Sequence, residues 1–115
     1  MKTFKFKSFG EDREVYFYLD RYEMNDATYI GAMMIEDGDE DYYGDVSINI
    51  PHGKIDNANE FYANRDSDQL IKAMLKAKLI EDTDDTVSSG YAVYNKMRTT
   101  EKFMEYVKAN ESEVV

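Results

Sequence analysis

The sequence predicts an α+β domain: an antiparallel meander sheet of about five strands, one helix packed on it and a short C-terminal helix. Three observations predict it. Apolar side chains alternate with a period of two through much of residues 4–50. The period becomes that of a helix after Asn64. The early apolar runs are separated by short turn signals, which join antiparallel neighbours. A single domain is expected over residues 1–98, with 99–115 adding a helix and a frayed tail.

The elements follow in order. Phe4 and Phe6 alternate with Lys5 and Lys7, as in a half-buried strand. Gly10-Glu11-Asp12 is a turn candidate. Val15, Phe17 and Leu19 then point one way and Tyr16 and Tyr18 the other, so both faces of the second strand are bulky. Asn25-Asp26 marks the next turn, and Tyr29 to Ile35 is a third strand, apolar on both faces and relieved by Gly31 and Ala32. Asp37-Gly38 is a strong hairpin signal, because a two-residue turn needs two left-handed residues. In the next strand Val46, Ile48 and Ile50 face the core, while Asp45, Ser47 and Asn49 face water; Pro51 ends it. A helix over 67–78 places Leu70, Ile71, Met74 and Leu75 on one stripe, with Lys72 and Lys76 opposite. Asp66 or Ser67 can cap it, and Gln69 completes a capping box with Asp66. Residues 81–85 read as a polar loop. Tyr91, Val93 and Met97 mark a last strand, and Thr99 or Thr100 caps a helix carrying Phe103, Met104 and Val107.

Composition bounds the chemistry. The 115 residues are 43% hydrophobic and 33% charged, enough for one core without disulfides or metal. The absence of cysteine excludes disulfides, thiolate nucleophiles and cysteine-based zinc or iron–sulfur sites. His52 is the single histidine, which excludes a two-histidine metal motif. No cofactor is expected. The net charge of -10 argues against direct nucleic-acid partners and anionic membranes. No apolar run approaches the roughly 20 residues of a membrane span, and the N-terminal segment has no secretory core, so the expected location is the cytoplasm. The charge is uneven: residues 1–9 carry Lys2, Lys5 and Lys7 and no acid, whereas 10–45 carry 12 acids and two arginines.

The stretch Tyr43-Gly44-Asp45-Val46-Ser47-Ile48-Asn49-Ile50-Pro51 resembles a segment usually written Y-A-T-L-T-V-N-L-P. With Arg21-Tyr22 and Asn25-Asp26, with Asp37-Gly38, with Lys78-Leu79-Ile80 in place of a Gly-Leu-Ile-like segment, and with Ser89-Gly90-Tyr91 through Tyr94 and Arg98, the chain resembles the domain-of-unknown-function 4313 family over roughly residues 3–98. The resemblance implies a fold and an origin in bacterial phages, plasmids or conjugative elements. It carries no catalytic residue. The longer acidic hairpin, without the family's usual proline, and the helix after Arg98 look like departures from the family.

Asp37, Asp39 and Asp41 match the first, third and fifth positions of an EF-hand loop, but Tyr42 stands at the glycine position and Ile48 at the final glutamate, and the flanks read as strands. Duplex DNA shows about one charge per 1.7 Å, and strands rise about 3.3 Å per residue, so acids on paired strands reach comparable density. The hairpin could thus imitate nucleic-acid phosphates. His52 has no evident nucleophile partner, since Ser88-Ser89-Gly90 is not a nucleophile elbow. Asp82, Asp84 and Asp85 fit a loop as well as a metal site. Lys72, Lys76 and Lys78 read as a solvated helix face. The expectation is a non-enzymatic protein-binding module that uses Glu36, Asp37, Asp39, Glu40, Asp41, Tyr42, Tyr43 and Asp45 against a basic surface of a host protein. The alternative is an accessory protein that self-associates, as a homodimer, through a sheet edge or the terminal helix.

Overall fold

The computed structural model describes residues 2–111. The expected meander is present as β1 (Phe4–Ser8), β2 (Glu11–Arg21), β3 (Thr28–Glu36) and β4 (Asp39–Asp45), each antiparallel to its neighbour. A second antiparallel sheet, of order β5-β6-β8-β7, adds β5 (Ser47–Ile48), β6 (Glu60–Ala63), β7 (Ile80–Ser89) and β8 (Ala92–Thr99). Helix α1 (Asp68–Lys76) follows a 3-10 turn at Arg65–Ser67, and α2 (Glu101–Glu111) follows β8. Of the tail expected to fray at residues 110–113, Asn110 and Glu111 instead continue α2, with the Asn110 amide donating to the Phe17 carbonyl at 3.2 Å, and Ser112 and Glu113 lie outside the described residues.

Two hairpins of the meander close on two-residue turns. Asp37 (φ 51°) and Gly38 (φ 83°) are both left-handed, as are Phe9 (φ 50°) and Gly10 (φ 82°). This is the turn whose twist matches paired strands. The first turn therefore falls one residue earlier than the sequence suggested. Phe9 is bulky in a conformation that suits Asn or Gly, and it is 87% exposed.

The register puts Phe4, Phe6, Val15, Phe17, Ile30 and Ala32 on one face of the meander, all buried. Both helices pack on this side. Leu70, Ile71 and Met74 of α1, Phe103 and Val107 of α2, and Phe61, Ile80 and Met97 of the second sheet join them in one buried cluster. Phe17 meets Phe103 with ring centroids 5.2 Å apart.

Four local expectations are corrected. First, 45–50 is not one half-wet strand. The chain leaves the meander at Val46, whose N–H donates to Ile30 and whose carbonyl accepts from Asn64, and crosses into the second sheet. Ser47 is therefore buried, not wet, and its hydroxyl accepts from the Ile30 N–H at 2.9 Å. Second, residues 81–85 belong to β7, with an irregularity between Asp82 and Thr86. Acidic residues here line a strand at the sheet edge, where charge discourages edge-to-edge pairing. Third, the last strand, β8, carries Val93 and Met97 as expected but begins at Ala92, so Tyr91 falls in the turn and is fully exposed; Val93 is exposed as well and Met97 is buried. Fourth, the cap at 64–68 differs: Asn64 accepts from the Asp66 N–H, while the Ser67 hydroxyl donates to the Asp45 carbonyl. Helix α1 stops at Lys76 because Lys78 turns left-handed (φ 62°), and its N–H and that of Leu79 donate back to Leu75 and Met74. Thr100 caps α2 as expected, accepting from the Phe103 N–H.

Candidate interaction surface

Neither helix covers the second face of the meander. Strand alternation places Tyr16, Tyr18, Tyr29, Met33 and Tyr42 there, with Glu40 and Asp45. Tyr18 lies directly over Gly31: a Cβ on that glycine would stand 2.2 Å from the ring, so only glycine admits the ring there. The Tyr29 hydroxyl donates to the Asp45 carboxylate at 2.6 Å and lies 3.4 Å from the Tyr18 hydroxyl. Tyr22 stacks edge-on against Tyr29 and pairs with Ser47 at 3.0 Å.

Four of these phenols, Tyr16, Tyr22, Tyr29 and Tyr42, are pushed above the ordinary tyrosine range. Burial and the bond to Asp45 push Tyr29 far above the usual tyrosine range. The bond to Asp45, then burial, push Tyr42 up to about 12. Burial, then the charge of Glu40, raise Tyr16, and burial raises Tyr22. The result is a shelf of flat rings, braced by one carboxylate. Rigid rings of this kind give large contact area at small entropic cost.

The eight residues singled out from sequence do not form one cluster. Glu36, Asp37, Asp39, Glu40 and Asp41 are exposed around the β3–β4 tip, as is Tyr42. Glu40, Tyr42 and Asp45 share the phenol face. Glu36, Asp39 and Asp41 fall on the opposite face by the same alternation, beside Met34. Tyr43, next to the register shift opposite Ala32 and Met33, turns inward and meets Phe6 edge-on at 5.5 Å. Among the described residues, no salt bridge involves an acid of this hairpin.

A second polar centre escaped sequence reasoning. Lys96 on β8 is buried, with Nζ 3.1 Å from Asp56, 3.5 Å from Asp85 and 3.6 Å from Glu60, which is buried as well. Glu60 also accepts from the N–H groups of Asp56 and Asn57. Burial works to lower the Lys96 pKa, but the bond to Asp56 and the charge of Glu60 outweigh it and raise it. Burial likewise opposes ionisation of Glu60, and the N–H donors with Lys96 hold its carboxyl below the usual range. A permanently charged lysine of this kind clamps a loop and is a poor base. Nothing local marks it, since a lysine in an alternating strand reads as solvent-facing. His52 does meet Ser88, but at the backbone: its Nε2 is 2.9 Å from the Ser88 carbonyl oxygen. Among the described residues, no group of three or more His, Asp or Glu is placed to hold a metal ion, and no helix is long and apolar enough to cross a membrane.

A match to the family described as Domain of unknown function (DUF4313) covers residues 16–114. The chain belongs to that family. The DUF4313 match takes in α2, which the resemblance read from sequence had set aside as additional, and it begins inside β2, so β1 and its turn precede it. The left-handed Lys78 explains why a glycine suits that position in a Gly-Leu-Ile-like segment. Comparison with curated proteins and with solved structures returned no match.

Proposed function

We propose that this DUF4313 protein is a non-enzymatic protein-binding module acting in the cytoplasm, and that its binding face is the acidic β3–β4 hairpin with the adjoining phenol shelf. One observation carries the reading: the shelf is uncovered, its rings are braced through Asp45, and the acids at its rim have no basic partner among the described residues. The complement of such a surface is a protein face that offers lysine or arginine beside flat apolar area. The mobile-element origin suggested by the sequence resemblance would make that partner a host protein. A counter-defence decoy for nucleic-acid phosphates needs its charges in one row. Strand alternation instead divides Glu40 and Asp45 from Glu36, Asp39 and Asp41, which favours a mixed protein surface over a DNA-binding groove.

The test is affinity capture from host lysate with the wild type and the triple variant Asp39→Lys, Glu40→Lys, Asp41→Lys in parallel, followed by binding of the purified partner at low and high salt. A partner held by the wild type, lost with the variant and weakened by salt is expected. Retention of every partner by the variant would refute the reading.

A further inference from the structure

The two strands at the edges of the meander carry opposite charge. β1 presents Lys5 and Lys7, and β4 presents Asp39, Glu40 and Asp41. Beside β1 runs a groove of about 610 Å³ whose other wall is α1. Phe4 and Phe6 line it, and Lys5, Lys7, Lys72 and Lys76 stand along it. The N-terminal lysines and the helix lysines are far apart in sequence, and the fold gathers them into one basic strip on a protein of net charge -10. Two of the four have local partners, both well exposed: Lys7 with Asp12 at 3.9 Å and Lys72 with Asp68 at 2.8 Å.

The geometry points to a second copy of this chain as the occupant of the groove, inserting its β4 edge beside β1. This rests on the reading of the acidic hairpin as a binding face and adds a second copy of the chain as an occupant of that face beside the host protein. The backbone, the side-chain faces and the charges each support it.

In a hairpin closed by a two-residue turn, the residues flanking the turn bond to each other and every second residue beyond turns its N–H and C=O outward. From the pairs Ser8–Glu11 and Glu36–Asp39, the outward residues are Lys5 and Lys7 on β1, and Glu40 and Tyr42 on β4. In the meander β1 and β4 run in opposite senses, so a copy displaced sideways brings its β4 antiparallel to β1. Residues that pair across the new ladder must share a face. They do: Lys5, Lys7, Glu40 and Tyr42 all belong to the phenol face. Placing Glu40 opposite Lys7 sets Tyr42 opposite Lys5, an ion pair beside a cation–π pair. The other face of the incoming strand carries Asp39 and Asp41, toward the α1 wall with Lys72 and Lys76. An edge strand lying against a helix is a recurrent site of strand addition. Because two different surfaces meet, the contact is heterologous, and it propagates along a row of copies unless the rotation closes a ring.

The test is sedimentation velocity over a hundredfold range of concentration at low and high salt. Three variants accompany the wild type: a groove variant (Lys5→Glu with Lys7→Glu), the hairpin variant (Asp39→Lys, Glu40→Lys, Asp41→Lys) and a control at the far end of the sheet (Glu23→Lys). The wild type and the control should form a concentration-dependent series of species, weakened at least tenfold by salt. Each of the other two alone should be monomeric, and an equimolar mixture should associate again, since one supplies an intact hairpin and the other an intact groove. A wild type that stays monomeric, variants that still associate, or a mixture that does not recover would overturn the proposal. A monomeric wild type whose captured partner is still lost with the hairpin variant would leave the binding face standing with a different partner. Circular dichroism of each variant separates loss of association from loss of fold.

Discussion

Replacing Lys96 by Met removes the cation at the centre of the buried cluster while keeping most of its volume. Breaking one side of a buried ion pair costs about 3–5 kcal/mol, because the remaining charge is stranded. Here the Asp56 and Asp85 side chains are 47% and 68% exposed and can rehydrate. Glu60 is only 6% exposed but keeps N–H donors from Asp56 at 2.8 Å and Asn57 at 3.1 Å. The loss should therefore fall at the low end, about 3 kcal/mol, which for a chain of this size lowers Tm by roughly 12 °C. Urea denaturation and calorimetry measure it. The pH dependence adds a second signature. Lys96 has a raised folded pKa, so its contribution is complete below the unfolded value of about 10.4 and is lost as pH rises through the folded value. Glu60 and Asp56 have lowered folded pKa values, so theirs is complete above about 4.3 and 3.9 and is lost as pH falls through the folded values. Lys96→Met should remove the Lys96 share of the alkaline loss, leaving the share that the raised tyrosines contribute, and shrink the acid loss to the part of Glu60's shift that the N–H groups supply. Adding Glu60→Gln should recover part of the stability, since the stranded charge is gone. A loss below about 1 kcal/mol would refute the view that this centre holds the loop at 53–59 against β6 and β8.

Two further outcomes are expected. Gly31→Ala drives a Cβ into the Tyr18 ring and should destabilise by about 1–3 kcal/mol in urea, with most of that loss absent in a Tyr18→Ala background. Asp45→Asn removes the principal cause of the Tyr42 shift, so its phenol should titrate from about 12 down toward the ordinary value near 10, followed by NMR of the ring carbons.

The features legible in the sequence were those fixed by neighbours along the chain. Asp37-Gly38 supplied a left-handed pair, and the turn formed there. The stripe Leu70, Ile71, Met74 became the buried side of α1, and Thr100 capped α2. Misreadings arose where a distant contact outweighed a local preference. Ser47 looked wet by alternation, yet the crossing between sheets buries it against Ile30 and Tyr22. Residues 81–85 looked like a loop by composition, yet β7 runs through them: Glu81 and Asp82 pair with Arg98 and Met97 of β8, and the pairing resumes at Thr86 after an irregularity. The acids of the β3–β4 hairpin looked like one patch because they are adjacent in sequence, and adjacency in a strand is what sends them to opposite faces.

The sequence by itself determined the α+β class, the meander with its tight turns, the two helices and the exclusion of thiol chemistry. These depend on periodicity, turn residues and composition, all local quantities. Only the tertiary structure decided that the later strands form a separate sheet, that Lys96 is sealed against Asp56 from 40 positions away, and that lysines of β1 and α1 line one groove. Such pairings depend on which surfaces meet when the core closes. The free energy that drives closure is apolar burial, which is non-directional and leaves no mark on the polar residues it brings together.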